Sequence, residues 1–197
     1  MAKTTHYPSF DVLNQADHWD PHTRKIVHSR LIREHGYRFL TLPEAEVLRV
    51  MCALLAGDNR GEIIQYVLSH IDHKLHANIG EGERLPHLPE EPALVRSGAA
   101  AMDQTALLRY QLPYHQLKPE EQRVMLLELG EGLLKPNHVW PVPQQAFFTK
   151  MLLLTLDAYY SHPTVWSEMG YGGPAYPRGY IRTGIGQLDP WEAKRET

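Results

Sequence analysis

Residues 62–78, EIIQYVLSHIDHKLHAN, decide the fold class. Ile63, Ile64, Val67, Leu68, Ile71 and Leu75 recur at three- and four-residue spacing, which gathers them on one stripe of an α-helix but scatters them over both faces of a strand. The spacing predicts a helix from Glu62 to Asn78, with Gly80 as its C-terminal stop. The same rhythm continues on both sides. Upstream, Thr41-Leu42-Pro43-Glu44 has the form of a capping box and opens a helix carrying Val47, Leu48, Met51, Leu54 and Leu55, stopped by Gly57. Before it, Asp20 and Pro21 read as N-cap and first helical position of a helix through His35, with Ile26, Val27 and Leu31 on one face.

Downstream, residues 81–92 combine Gly, Pro and charge and read as a loop. A fourth helix is expected over 93–112, carrying Leu94, Val95, Ala99, Met102, Leu107 and Leu108 and ended by Pro113. Lys118-Pro119-Glu120-Glu121 opens a fifth through Leu129, its first-turn acids favouring the positive helix end. Residues 136–143 form a proline-dense crossover around Trp140. The sixth helix, 144–160, holds Phe147, Phe148, Met151, Leu152, Leu153, Leu154, Leu156 and Tyr159. Being apolar on most sides, it is expected at the centre of a bundle. Nothing reads as a strand or an internal repeat. The expectation is an all-α single domain over 1–197: an extended segment at 1–19, a bundle of about six helices at 20–160, and an irregular arm at 161–197.

The arm is the unusual part. Residues 162–182, HPTVWSEMGYGGPAYPRGYIR, hold one Trp, three Tyr and two Arg among closely spaced Gly and Pro. Gly and Pro at this density oppose regular elements, so the segment is read as irregular and shaped by turns. Tyr, Trp and Arg dominate binding hot spots, which marks the arm as a surface to be covered by something else. The plainer alternative is that it folds back, Trp166 and the tyrosines filling a groove on its own helices.

The run Tyr159-Tyr160-Ser161-His162-Pro163, then Trp166, then Gly170-Tyr171-Gly172-Gly173-Pro174-Ala175-Tyr176-Pro177 with Arg178-Gly179-Tyr180, resembles the C-terminal signature of the gluconate 2-dehydrogenase subunit 3 family. Tyr7-Pro8-Ser9-Phe10-Asp11-Val12-Leu13, Trp19-Asp20 and Leu42-Pro43-Glu44 fit the same pattern. The resemblance spans nearly the whole chain, with only the C-terminal motif specific. It implies a small non-catalytic subunit of a membrane-associated or periplasmic sugar or polyol dehydrogenase. Its partner would be a large FAD-bearing subunit of the glucose-methanol-choline (GMC) type that needs it for stability or export, with a cytochrome c acceptor subunit reached through the complex. The partner-facing residues are then expected to be His162, Pro163, Trp166, Gly170, Tyr171, Gly172, Gly173, Pro174, Tyr176, Pro177, Arg178, Tyr180 and Arg182. The two arginines would make bidentate contacts with carboxylates or carbonyls.

Composition narrows the remaining classes. With 43% apolar residues in 197, the chain can bury a proper core. A net charge of −3 leaves no electrostatic footprint for nucleic acid and no basic run to hold a membrane surface. The apolar run 151–156 is far shorter than the roughly 20 residues a bilayer span needs. The first twenty residues, MAKTTHYPSFDVLNQADHWD, show neither an apolar core nor a twin-Arg pair, unlike family members that carry an export leader. The chain is therefore expected in the cytoplasm as encoded, or in the periplasm if exported with its partner or if a leader has been removed. Cys52 is the one cysteine and lies in an apolar helical stretch, where it reads as a small buried hydrophobe. It rules out a Cys-x-x-Cys-His haem attachment or an Fe–S cysteine set, so no cofactor is expected in this chain, and FAD is expected in the partner.

The rival reading is a stand-alone helical metal protein or enzyme. His70, His73 and His76 recur every third residue, but successive steps carry the outer pair apart by roughly 120° on an ideal helix, so all three do not readily converge on one ion. No Glu is followed three residues later by His, which opposes a di-iron bundle. Gly170–Gly173 follow a helix and precede prolines, unlike a dinucleotide fingerprint. Ser161-His162 lacks a nucleophile elbow and is explained by a turn before Pro163. No catalytic, cofactor-binding or metal residue is therefore assigned.

Overall fold

The computed structural model describes residues 5–31, 36–78, 86–134 and 140–196. These form seven α-helices and two 3-10 helices, with no strand among the described residues. The α-helices are α1 (Pro21–Ser29), α2 (Leu42–Ala56), α3 (Gly61–Ala77), α4 (Glu91–Tyr110), α5 (Pro119–Glu131), α6 (Gln144–Tyr159) and α7 (Pro163–Met169); 3-10 helices cover Val12–His18 and Tyr114–Gln116. The all-α expectation is met. The first helix, expected through His35, ends at Ser29, with Arg30 and Leu31 in a turn; residues 32–35, the Gly80 stop, and parts of the 81–92 loop and of the 136–143 crossover lie outside the described residues. The chain divides into two compact units, Glu34–Ala158 and Met1–Arg33 with Tyr159–Thr197.

In the unit from Glu34 to Ala158, the helix ends follow their chemistry. Thr41 and Glu44 close a reciprocal capping box at the start of α2, and Gly57 ends it in the left-handed region at φ 62°. α3 stops at Asn78, φ 45°, and α4 at Gln111, φ 60°. α2 packs on α3 and α4. The core interleaves Leu48 and Met51 with Ile64, Val67, Leu68 and Ile71, then with Val95, Met102, Met125, Leu129, Phe147 and Met151, all buried. Cys52 is fully buried beside Thr155, whose hydroxyl donates to its sulfur at 3.3 Å, and burial pushes the thiol up to about 12. α6, apolar on most sides and expected at the centre of the bundle, keeps one face outward. Gln145, Thr149, Leu153 and Asp157, four residues apart, form an exposed stripe, while Phe147, Met151, Leu154 and Ala158 are buried.

Two features of this unit were not legible in the periodicity. Asp72 is buried on α3, and its carboxylate accepts the backbone N–H groups of Arg38, Phe39 and Leu40 at 2.8, 2.9 and 2.8 Å. A buried charge is tolerated when donors surround it in this way, and here it ties the segment entering α2 to α3. Arg96 reinforces the same segment: its guanidinium donates to the Phe39 carbonyl and to Glu44 and stacks 4.1 Å from the centre of the Phe39 ring. The second feature is Gly98, where an added Cβ would lie 2.3 Å from ring carbons of buried Phe147, so glycine sets the approach of α4 to α6.

Asp72→Ala leaves three backbone donors without their acceptor, that of buried Leu40 among them, and should lower unfolding free energy by about 3 kcal/mol. Gly98→Ala should lower it by about 2 kcal/mol, overpacking outweighing the better helix propensity of Ala. Urea denaturation of each variant against the parent checks both; a stability at or above the parent's would contradict the assignment.

Candidate functional site

The terminal unit is built around Trp166. Val12, Trp19, Val27 and Trp166 form its buried core, with Phe10, Leu13 and Ala16 packed against it. The 1–19 segment, expected to be extended, turns helical at Val12–His18, because the Asp11 carboxylate caps the Leu13 N–H. Asp20 caps α1 through the His22 and Thr23 N–H groups, and its hydrogen bonding with Thr23 holds its carboxyl below the usual range. His162 and Pro163 likewise start a helix where an irregular arm was expected. The Thr164 N–H donates to His162 Nδ1, Pro163 takes the first helical turn, and Val165 and Trp166 turn inward.

Polar bonds orient the tryptophan. Its indole N–H donates to the Tyr160 carbonyl, and the Arg30 guanidinium lies 5.2 Å from its ring centre while donating to the Ser161 carbonyl at 2.9 Å. Tyr171 meets the same ring edge-on at 5.3 Å. The chain ends then close on each other. The Val12 N–H donates to Ser167 Oγ, the Glu196 N–H donates to the His6 carbonyl, and the Ser9 N–H donates to the Glu196 carboxylate. A cleft of about 410 Å³ lies between the N-terminal segment and α7, floored by Tyr7, Phe10 and Leu13. Its Thr5 and Ser167 hydroxyls are used in donating to the Glu168 and Pro163 carbonyls.

The glycine cluster acquires a structural reason. A Cβ on Gly170 would lie 2.7 Å from the Tyr7 ring, on Gly172 2.9 Å from Trp191 Cδ1, and on Gly173 2.6 Å from Trp19 Cζ2. Gly170 and Gly173 also sit at positive φ, 73° and 79°. Each glycine lets an aromatic ring rest on backbone. No phosphate cradle is needed to explain the run.

Beyond Gly173 the chain forms a loop fixed by its own polar bonds. Arg178 stacks 4.5 Å from the Trp191 ring centre and donates to the Gly172 carbonyl. Asp189, buried, accepts the Ile181 and Arg182 N–H groups at 3.0 and 2.8 Å. The Glu192 carboxylate accepts from the Asp189 N–H and from Arg182 Nη1 at 3.1 Å. Gln187 accepts the Gly184 N–H at 3.1 Å and closes the tip. Desolvation lowers the Arg178 pKa from the usual guanidinium value.

The thirteen sequence-derived interface positions thus fall into two sets. His162, Pro163, Trp166, Gly172 and Gly173 are buried inside the terminal unit; Gly170, Pro174 and Arg178 are half-buried. Tyr171, Tyr176, Pro177, Tyr180 and Arg182 are exposed, Tyr176 at 70% and Tyr180 at 61%. Arg178 and Arg182 spend hydrogen bonds within the unit, on Gly172 and on Glu192. Ile181, Ile185 and Leu188 were not singled out in the sequence, yet all are exposed on the same loop. On α3, His70 is half-buried and lies against Tyr66 with ring centres 6.0 Å apart, while His73 and His76 are exposed. No group of three His, Cys, Asp or Glu among the described residues is arranged to hold a metal ion. No described helix is long and apolar enough to cross a membrane.

Fold and surface together define a small all-α protein with exposed aromatic side chains on a loop braced by its own hydrogen bonds. The family model described as gluconate 2-dehydrogenase subunit 3 matches residues 42–173, more than half of the chain, and the chain belongs to that family. No curated protein and no solved structure gives a significant match. The matched span runs from the start of α2 to Gly173 and includes Trp166 and the glycine cluster.

Trp166→Ala removes the centre of the terminal core and should destabilise that unit by about 4 kcal/mol. Hydrogen exchange at Val12–Ser29 should rise sharply in this variant. Unchanged protection there would show that Trp166 is not the organising residue.

Proposed function

We propose that the chain is the non-catalytic small subunit of an FAD-dependent dehydrogenase complex that oxidises a sugar, sugar acid or glycoside, and that it binds a large GMC-type flavoprotein subunit. Its family is named for a subunit of gluconate 2-dehydrogenase, which supports a hetero-oligomeric partner. The observation that carries the reading is the exposed edge Tyr176, Pro177 and Tyr180, on a loop that is already internally bonded. A preorganised loop loses little conformational entropy when it is covered, and rings supply large contact area with few rotatable bonds.

The mechanism under this reading is thermodynamic. A chain that binds the folded flavoprotein and not its unfolded form raises the stability of the fold by mass action, by about 2.7 kcal/mol when its free concentration is a hundred times Kd. FAD and the redox chemistry belong to the large subunit, and electrons leave it for a cytochrome c or another acceptor. Export of the large subunit together with this chain is the second service the same contact would provide.

Co-expression with a GMC-type flavoprotein subunit from the same organism, followed by size-exclusion chromatography, should give co-elution with flavin absorbance at one peak. The flavoprotein purified alone should melt several degrees lower than in the pair. Separate elution of the two chains, or an unchanged melting temperature, would contradict the proposal.

A further inference from the structure

The tip of the terminal loop carries the most exposed aliphatic side chain of the described residues. Ile185 has a relative exposure of 109%, and Ile181 and Leu188 beside it stand at 60% and 52%. Isolated exposed aliphatics are ordinary on protein surfaces. Three within eight positions, on a loop whose backbone is fixed, are not. Asp189 pins Ile181 and Arg182, Gln187 pins Gly184, and Arg182 is paired with Glu192, so the one charged side chain between Tyr180 and Leu188 is neutralised inside the unit.

From this we infer that Ile185, flanked by Ile181 and Leu188, is a plug that enters an apolar pocket of the large subunit, continuous with the Tyr176 and Tyr180 edge. The inference rests on the proposed partnership and adds its central contact. The pocket it fits has an aliphatic or aromatic floor without an ionisable group, and hydrogen-bonding groups at its rim to meet the two tyrosine hydroxyls. A rigid tip with an outward branched aliphatic fits a preformed hole, because the backbone bonds that would have to break for it to fold away are already made.

A second copy of the chain is the occupant that self-association would reveal, and a bilayer is disfavoured by charge. A bilayer surface is a weak partner for so small an apolar element without an adjacent basic cluster, since even a whole myristoyl chain binds only marginally. Arg182 is tied to Glu192 and leaves the tip itself without free positive charge.

The test uses the full chain with the flavoprotein subunit and measures Kd by biolayer interferometry for the parent, Ile185→Asp, Leu188→Asp and Ile185→Leu. Both Asp variants should keep the parent's melting temperature, because neither side chain contributes to the core, and should bind at least about tenfold more weakly. Ile185→Leu should stay within about threefold of the parent, because an isosteric apolar swap keeps the knob. Binding of both Asp variants within twofold of the parent would overturn the plug while leaving the partnership standing. Failure of the parent itself to bind would overturn both. Concentration-dependent self-association abolished by Ile185→Asp would reassign the tip to a second copy and overturn the inference. Sedimentation of the parent, but not of that variant, with phosphatidylglycerol vesicles would reassign it to lipid and overturn it equally.

Discussion

The burial of one tryptophan organises the part of the molecule that meets the outside. Trp166 receives Val12, Trp19 and Val27 around its ring, Arg30 over it and Tyr171 against its edge, and its indole N–H is satisfied by the Tyr160 carbonyl. Residues near both chain ends therefore converge on a side chain that lies beyond α6. Burial of so large a ring outweighs the ordering of short helices such as α1 and α7, which would be marginal alone. Removing everything after Ser161 would take away this ring, and with it the core on which Val27 of α1 packs.

Glycine and proline then do different work from the one their density implies. Their density predicts an irregular arm, and the chain is irregular from Gly170 onward. Its glycines are nevertheless packing residues: Gly170, Gly172 and Gly173 each bring backbone against the ring of Tyr7, Trp191 or Trp19. The two alternatives weighed for the arm, self-packing and partner contact, thereby separate by residue. Trp166 and the glycines face inward. Tyr176, Tyr180 and the Ile185 tip face solvent, and under the proposed function they are what a flavoprotein subunit covers.

Much of the fold was legible because it rests on local rules. Thr41 and Glu44 announced α2, Asp20 and Pro21 announced α1, and the Ile63 to Leu75 stripe announced α3; capping chemistry and periodicity need only a few neighbouring residues. What escaped depends on partners far along the chain. Asp72 carries no signal in the helical periodicity, and only the fold brings the Arg38–Leu40 N–H groups to it. Leu153 sits in a helix apolar on most sides, yet lies on the exposed stripe of α6. The loop tip was missed for a related reason: Ile181, Ile185 and Leu188 have no periodicity, and their exposure follows from the bonds made by Asp189 and Gln187.

Under the proposed function the braced loop is covered by another subunit. Hydrogen–deuterium exchange of this chain, alone and in the presence of the flavoprotein subunit, reads that directly at the backbone of residues 176–188. The account predicts that exchange there slows markedly in the pair. Exchange rates in that segment that are the same with and without the flavoprotein, while the two chains remain bound, would contradict it.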